Sequence, residues 1–131
     1  MFFLLVFCLG CENPLTDDYK CKTLTSSKGE KIYVKSINWG VTGDYQRSII
    51  TKSTKKLTVR TDTIGSIEGY EPFIYHFKND TLTLFFYDYV TYRIKEKFKT
   101  ISVNYLVLND DEFLSIQDKI DNKYYFSVPS Y

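Results

Sequence analysis

The chain has 131 residues, 18% of them aromatic, and its 17 basic and 16 acidic side chains leave a net charge of +1. This is one domain's worth of chain, long enough to bury a core without disulfide or metal staples. The near-neutral balance argues against a nucleic-acid partner, and the aromatic content favours strands over helices.

The first stretch, Met1 to Cys11, carries no charge. Its apolar run, Phe2 to Leu9, is far shorter than the roughly 20 residues a membrane-spanning helix needs. An apolar run followed by the small Gly10 fits a secretory signal; the competing reading is an ordinary buried strand. The chain then turns polar at Glu12, Asn13, Pro14, Asp17 and Asp18. We therefore expect a signal segment over 1–10, a polar linker or tether over 11–29, and a β domain over 30–131. Lys20 to Leu24 is the one part of the linker that reads as an edge strand.

Gly29 punctuates the linker, and Lys31 to Asn38 follows as a strand whose alternation puts Lys31, Tyr33 and Lys35 on a wet face. Trp39-Gly40-Val41-Thr42-Gly43-Asp44 reads as a turn, with glycines that accept positive φ without steric cost. Gln46 to Ser53 returns as a strand, and Leu57 to Thr63 resumes after the Lys55-Lys56 pair. Phe73 to Lys78 and Thr81 to Tyr89 form the clearest hairpin, since Asn79 and Asp80 both tolerate the left-handed backbone of a tight turn. Tyr92 to Thr100 is charged and reads as either a strand or a loop. Thr100 to Leu108 is among the strongest strand signals in the chain.

One helix is predicted over 109–119. Asn109 with Glu112 three residues on gives a capping box, and Phe113, Ile116 and Ile120 fall on one face. Asp110, Asp111 and Glu112 suit the positive end of the helix dipole. Tyr124 to Val128 closes the chain as a strand. The expected fold is mainly β: a single small β-sandwich or open barrel of antiparallel strands with one short C-terminal helix.

Charge is unevenly placed, with a local balance of +8 from Lys20 to Arg60 and −4 from Thr61 onward. Such asymmetry can mark a face for an anionic partner, but a solvated strand face accounts for it more simply. Few residues point to catalysis. His76 is the only histidine, and no second ligand pattern accompanies it for zinc. Asp110-Asp111-Glu112 lacks the alternating spacing of a calcium loop. Glu68, Glu71 and Asp88 are carboxylates of the type used in sugar hydrolysis, with nothing to fix their separation. No phosphate-cradling glycine loop or nucleophile elbow is present. No metal or cofactor is expected. Tyr87, Tyr89, Tyr92, Tyr105, Tyr124, Tyr125 and Tyr131 supply residues that stack on sugars or anchor interfaces when exposed. Trp39, with Asp44 in the same turn, is the first choice for a partner contact; the simpler role for Trp39 is a core plug.

Gly10-Cys11 resembles the lipobox of bacterial lipoproteins, in which the cysteine is acylated and becomes the mature N-terminus. Cys8 stands where the lipobox usually has Leu. On this resemblance Cys11 bears the lipid, palmitate included, Cys8 is discarded, and Cys21 is left without a disulfide partner. Without it, Cys11 and Cys21 pair across a short loop in an oxidising compartment. Trp39-Gly40-Val41-Thr42-Gly43-Asp44 with Ile49-Ile50-Thr51, Glu71-Pro72-Phe73-Ile74-Tyr75, and Asn79-Asp80-Thr81-Leu82 are similar to stretches of small uncharacterised lipoproteins of the Bacteroidetes. That resemblance covers Lys31 to Leu84 and implies an exported lipoprotein without a known activity. Asp62-Thr63-Ile64 and Asp80-Thr81-Leu82 also resemble the O-glycosylation signal of that phylum, which implies Thr63 and Thr81 as acceptors.

The sequence thus leads us to expect a non-enzymatic lipoprotein of the cell envelope. Its lipid on Cys11 would sit in a bacterial membrane, the outer membrane foremost, on the periplasmic or surface face, and its domain would bind a protein or glycan. The alternative is a periplasmic immunity or inhibitor lipoprotein that neutralises a toxin or hydrolase.

Overall fold

A computed structural model describes residues 18–40, 45–58, 65–69, 73–120 and 124–128. Among the described residues eight strands form, β1 (Asp18–Thr25), β2 (Lys31–Trp39), β3 (Tyr45–Thr51), β4 (Ile67–Glu68), β5 (Phe73–Lys78), β6 (Thr81–Tyr87), β7 (Ser102–Leu108) and β8 (Phe126–Val128), with helix α1 (Asp110–Gln117) between β7 and β8. They form two four-stranded sheets, β1-β2-β3-β4 and β7-β6-β5-β8, packed as a β-sandwich and not closed into a barrel.

Period-two alternation builds the core. Leu24, Ile32, Val34 and Ile50 of the first sheet meet Phe73, Tyr75, Leu82, Leu84 and Phe86 of the second. The outer face of the first sheet carries a second, smaller cluster of Ile37, Ile49 and Leu57, with Tyr19 and Trp39 packed against it. That cover changes the fate of Lys35. The alternation placed it on a wet face, yet it is only 2% exposed. Its ammonium donates to the backbone carbonyls of Ser53 and Lys55, which lie over the sheet. A buried cation is tolerable because it is hydrogen-bonded.

β1 begins inside the stretch expected to be a linker over 11–29, and it pairs with β2 along its whole length, from Asp18↔Asn38 to Thr25↔Lys31. The edge-strand reading of Lys20 to Leu24 describes this segment better than the linker reading does. Leu57 and Thr58, expected to open a strand, lie outside regular structure, although Leu57 is fully buried; residues 59–64 fall outside the described residues.

The β5–β6 turn follows the sequence closely, with Asn79 at φ 50° and Asp80 at φ 56°, the two positive values a tight hairpin requires. β6 and β7 differ from expectation, because they pair in parallel, from Thr81↔Ser102 to Tyr87↔Leu108. The connecting segment 88–101 explains why. It leaves the end of β6, runs back along the open side of the sandwich, and returns the chain to the start of β6 before β7 begins. Tyr92 enters the core early on this return path and stacks on Phe73 at 5.6 Å. Its hydroxyl accepts the Ile50 N–H at 3.0 Å, and burial pushes its pKa up to about 12. Further along, the Glu96 carboxylate accepts from the Thr51 hydroxyl and, at 2.9 Å, from the Lys52 N–H. β4 pairs only with Arg47 and Ser48 of β3. The return segment thus covers the part of that strand edge that β4 leaves unpaired, and exposed edges invite aggregation.

Where 88–101 reaches the start of β6, three loops are tied together. The Asp80 carboxylate accepts from the Ser27 N–H at 2.7 Å and from the Ser27 hydroxyl. Glu30 accepts from the Lys99 N–H, the Thr100 N–H and the Thr100 hydroxyl at 2.6–3.0 Å. The Ser26 and Thr100 hydroxyls lie 2.7 Å apart, and the Ser102 N–H donates to the Asp80 carbonyl at 2.9 Å.

Candidate functional site

At its other end β6 finishes on two rings that face opposite ways. Phe86 points into the core and is almost fully buried, whereas Tyr87 lies on the outer face and is 51% exposed. The backbone then folds sharply. Asp88 has φ 66°, and the Tyr89 N–H donates back to the Tyr87 carbonyl at 2.7 Å. Together these describe a three-residue γ-turn with a positive φ at its centre, a rare and strained form. The turn sends Tyr89 into solvent, 56% exposed.

Helix α1 supplies the opposite wall. Its start is fixed by the capping box the sequence predicts: the Glu112 N–H donates to Asn109 Oδ1 at 3.0 Å, and the Asn109 N–H donates to Glu112 at 3.1 Å. This places Asp110 and Phe113 beside Tyr87. The Tyr87 and Phe113 rings sit 5.8 Å apart and tilted by 57°. The Tyr87 hydroxyl hydrogen-bonds the Asp110 carboxylate, which, with the charge of Asp110 and Asp88, raises the phenol pKa above its usual value. Between these walls lies an open cleft of about 530 Å³, lined by Phe86, Tyr87, Asp88, Tyr89, Thr91, Asp110, Phe113 and Leu114. Leu114 is 57% exposed, and Val107, beside Phe86 in the sheet, is also exposed.

The predicted helix face is only partly realised. Phe113, Ile116 and Ile120 are half-buried and no residue of α1 is fully buried. The cleft brings together residues that the sequence offered separately: Tyr87 and Tyr89 among the tyrosines, Asp88 among the carboxylates, Asp110 and Phe113 in the helix. The sequence does not single out Leu114. It is an apolar residue off the Phe113–Ile116–Ile120 face, and that mismatch was its available signal.

Trp39 lies elsewhere, on the outer face of the first sheet. It is half-buried, stacks on Tyr45 at 5.7 Å and has the Arg47 guanidinium 5.8 Å from its ring. It packs against Ile37, Ile49 and Leu57, so the core role accounts for much of its surface. Thr81 opens β6, and its hydroxyl donates to the Asn79 carbonyl at 3.3 Å. Cys11, Asp44, Thr63, Glu71 and Tyr131 fall outside the described residues. Cys21 is exposed and forms no disulfide among the described residues. His76 lies opposite Phe73, Tyr75 and Phe77, as the alternation implies. It is enclosed by Phe85, Tyr124 and Tyr125 at 5.2–5.5 Å, and burial lowers its pKa, assisted by Lys78.

Among the described residues no three His, Cys, Asp or Glu side chains are grouped to hold a metal ion, and no helix is long and apolar enough to cross a membrane. Comparisons with protein-family models, curated proteins and solved structures find no match for this chain.

Proposed function

We propose that the protein is a lipid-anchored binding domain of the bacterial cell envelope, held by Cys11 and engaging a protein or glycan partner without chemistry of its own. The observation that supports binding is the cleft between the end of β6 and α1. Large side chains in a stable domain are expected to be covered, and contiguous exposed apolar surface commonly marks an interaction site. Here Tyr87, Tyr89 and Leu114 are more than half exposed around one cavity. Tyrosine is enriched where binding energy concentrates, and the strained turn at Asp88 fits a site shaped for contact rather than for stability. The proposed address rests on Gly10-Cys11 and on the resemblance to Bacteroidetes lipoproteins.

Two measurements test the two halves of this reading. Palmitate labelling of the wild type should be lost in Cys11→Ser; equal labelling would remove the anchor. A photo-crosslinking residue placed at Tyr89 or Leu114 in the native envelope should trap a discrete adduct that the same residue at Lys31 does not. Adducts that form equally at all three positions, or at none, would remove the cleft as the contact surface.

A further inference from the structure

We infer that the cleft receives an organic cation, an ammonium or guanidinium head group presented either by a basic protein side chain or by a small quaternary amine. The inference rests on reading the cleft as a binding surface and adds the chemistry of what enters it.

The sign of the charge comes first. Asp88 and Asp110 line the cavity, no lysine or arginine does among the described residues, and Asp111 and Glu112 follow in the first turn of α1. The positive end of a helix dipole is equivalent to only about half a charge, so the carboxylates dominate the local field. An anion is therefore repelled. An uncharged apolar group would fit the rings, but it would strip water from carboxylates that must then stay charged without compensation.

The rings supply the second element. Tyr87 and Phe113 meet as a corner, tilted by 57° with centroids 5.8 Å apart, and Tyr89 projects beside them from the γ-turn. Aromatic faces carry a negative quadrupole that attracts cations, and the attraction grows as the site is desolvated. Ionised carboxylates accept hydrogen bonds and donate none, which suits the N–H groups of a lysine ammonium or a guanidinium, while a quaternary amine is drawn by their charge alone. Asp110 acts on the Tyr87 hydroxyl and both residues line the cavity, so one carboxylate and one ring stand together in the site.

The test uses the full chain in detergent, followed by backbone amide NMR, with five probes: choline, its uncharged isostere neohexyl alcohol, capped lysine, capped arginine, and N-acetylglucosamine. Choline or the capped basic residues should shift the amides of 87–89 and 113–114 saturably, with the uncharged isostere weaker by about tenfold or more. Asp88→Asn should weaken the cation by a similar factor without unfolding the turn, because Asn also tolerates positive φ; unchanged cation affinity in Asp88→Asn and in Asp110→Asn would overturn the inference. Tighter binding of capped lysine or arginine assigns the cation to a protein partner, and tighter binding of choline assigns it to a small amine. Equal affinity for choline and its isostere overturns the inference, as does occupation by N-acetylglucosamine alone, though in that case the cleft stands as a binding surface. If no probe shifts these amides and crosslinking at Tyr89 is also silent, both readings fall.

Discussion

The two ends of β6 are built on opposite principles. At Thr81 the chain is knotted: Asp80 holds Ser27, Glu30 holds Lys99 and Thr100, and Ser102 donates to the Asp80 carbonyl. At Tyr87, one strand-length away, the backbone is strained and the large side chains face water. On the proposed reading, the difference is how a small sandwich carries a recognition surface. Loops bound by charge-assisted hydrogen bonds at one end hold the register, which leaves the other end free to present rings that contribute little to stability.

The largest test joins the two ends. Phe86 stacks near Phe73 at 5.9 Å and Tyr105 at 6.4 Å in the core, and it also floors the cleft. Phe86→Ala should cost about 3–5 kcal/mol in urea unfolding and abolish cleft binding as well; a loss of binding at unchanged stability would show that the cleft is separable from the core.

A smaller effect isolates the knot. The backbone N–H groups of Lys99 and Thr100 hold the Glu30 carboxyl below its ordinary value of 4.5. A depressed carboxylate stabilises the fold above the unfolded-state pKa, and that contribution is lost as pH falls through the folded-state value. Wild type should therefore have a higher urea midpoint than Glu30→Gln at neutral pH, and the gap should close as the solution is taken below about pH 4.5. A gap that persists undiminished at low pH would assign the effect to shape rather than charge. The cleft should be indifferent to this substitution while the protein remains folded.

The smallest effect lies at the strained turn. Asp88→Gly relieves the side-chain cost of positive φ but adds glycine's entropy, so stability should stay within about 0.5 kcal/mol of wild type. Binding at the cleft should weaken all the same. If instead Asp88→Gly lowered stability markedly, the turn would belong to the scaffold and the contrast between the two ends would dissolve.

Most strands could be read from alternation, and the two tight local devices could be read outright. Asn79-Asp80 adopts the positive φ values it is suited to, and Asn109 with Glu112 forms its capping box, because both are decided by residues within a few positions of each other. The parallel pairing of β6 and β7 could not be read in the same way. It depends on where 88–101 travels, and that path is set by Tyr92 stacking on Phe73 and by Glu96 reaching Lys52, contacts remote in sequence. Lys35 misleads for a similar reason: alternation gives its face correctly but not the segment that covers that face. The cleft has the same character. Each of its residues carries a local signal, but only the fold brings Asp88 and Asp110 to one cavity.

Under the proposed anchor, the direction of β1 bears on which way the domain faces. Thr25, at the end of β1, lies with the Ser27–Asp80 knot, so Asp18, at the start of β1, lies toward the end of the sandwich that carries Tyr87. Under the proposed anchor, seven residue steps separate the lipid on Cys11 from Asp18, a span of at most about 25 Å even fully extended. The cleft would then look down at the bilayer it is moored to and sample a layer only a protein's width above the headgroups. A partner displayed on the same membrane would meet the cleft within that layer.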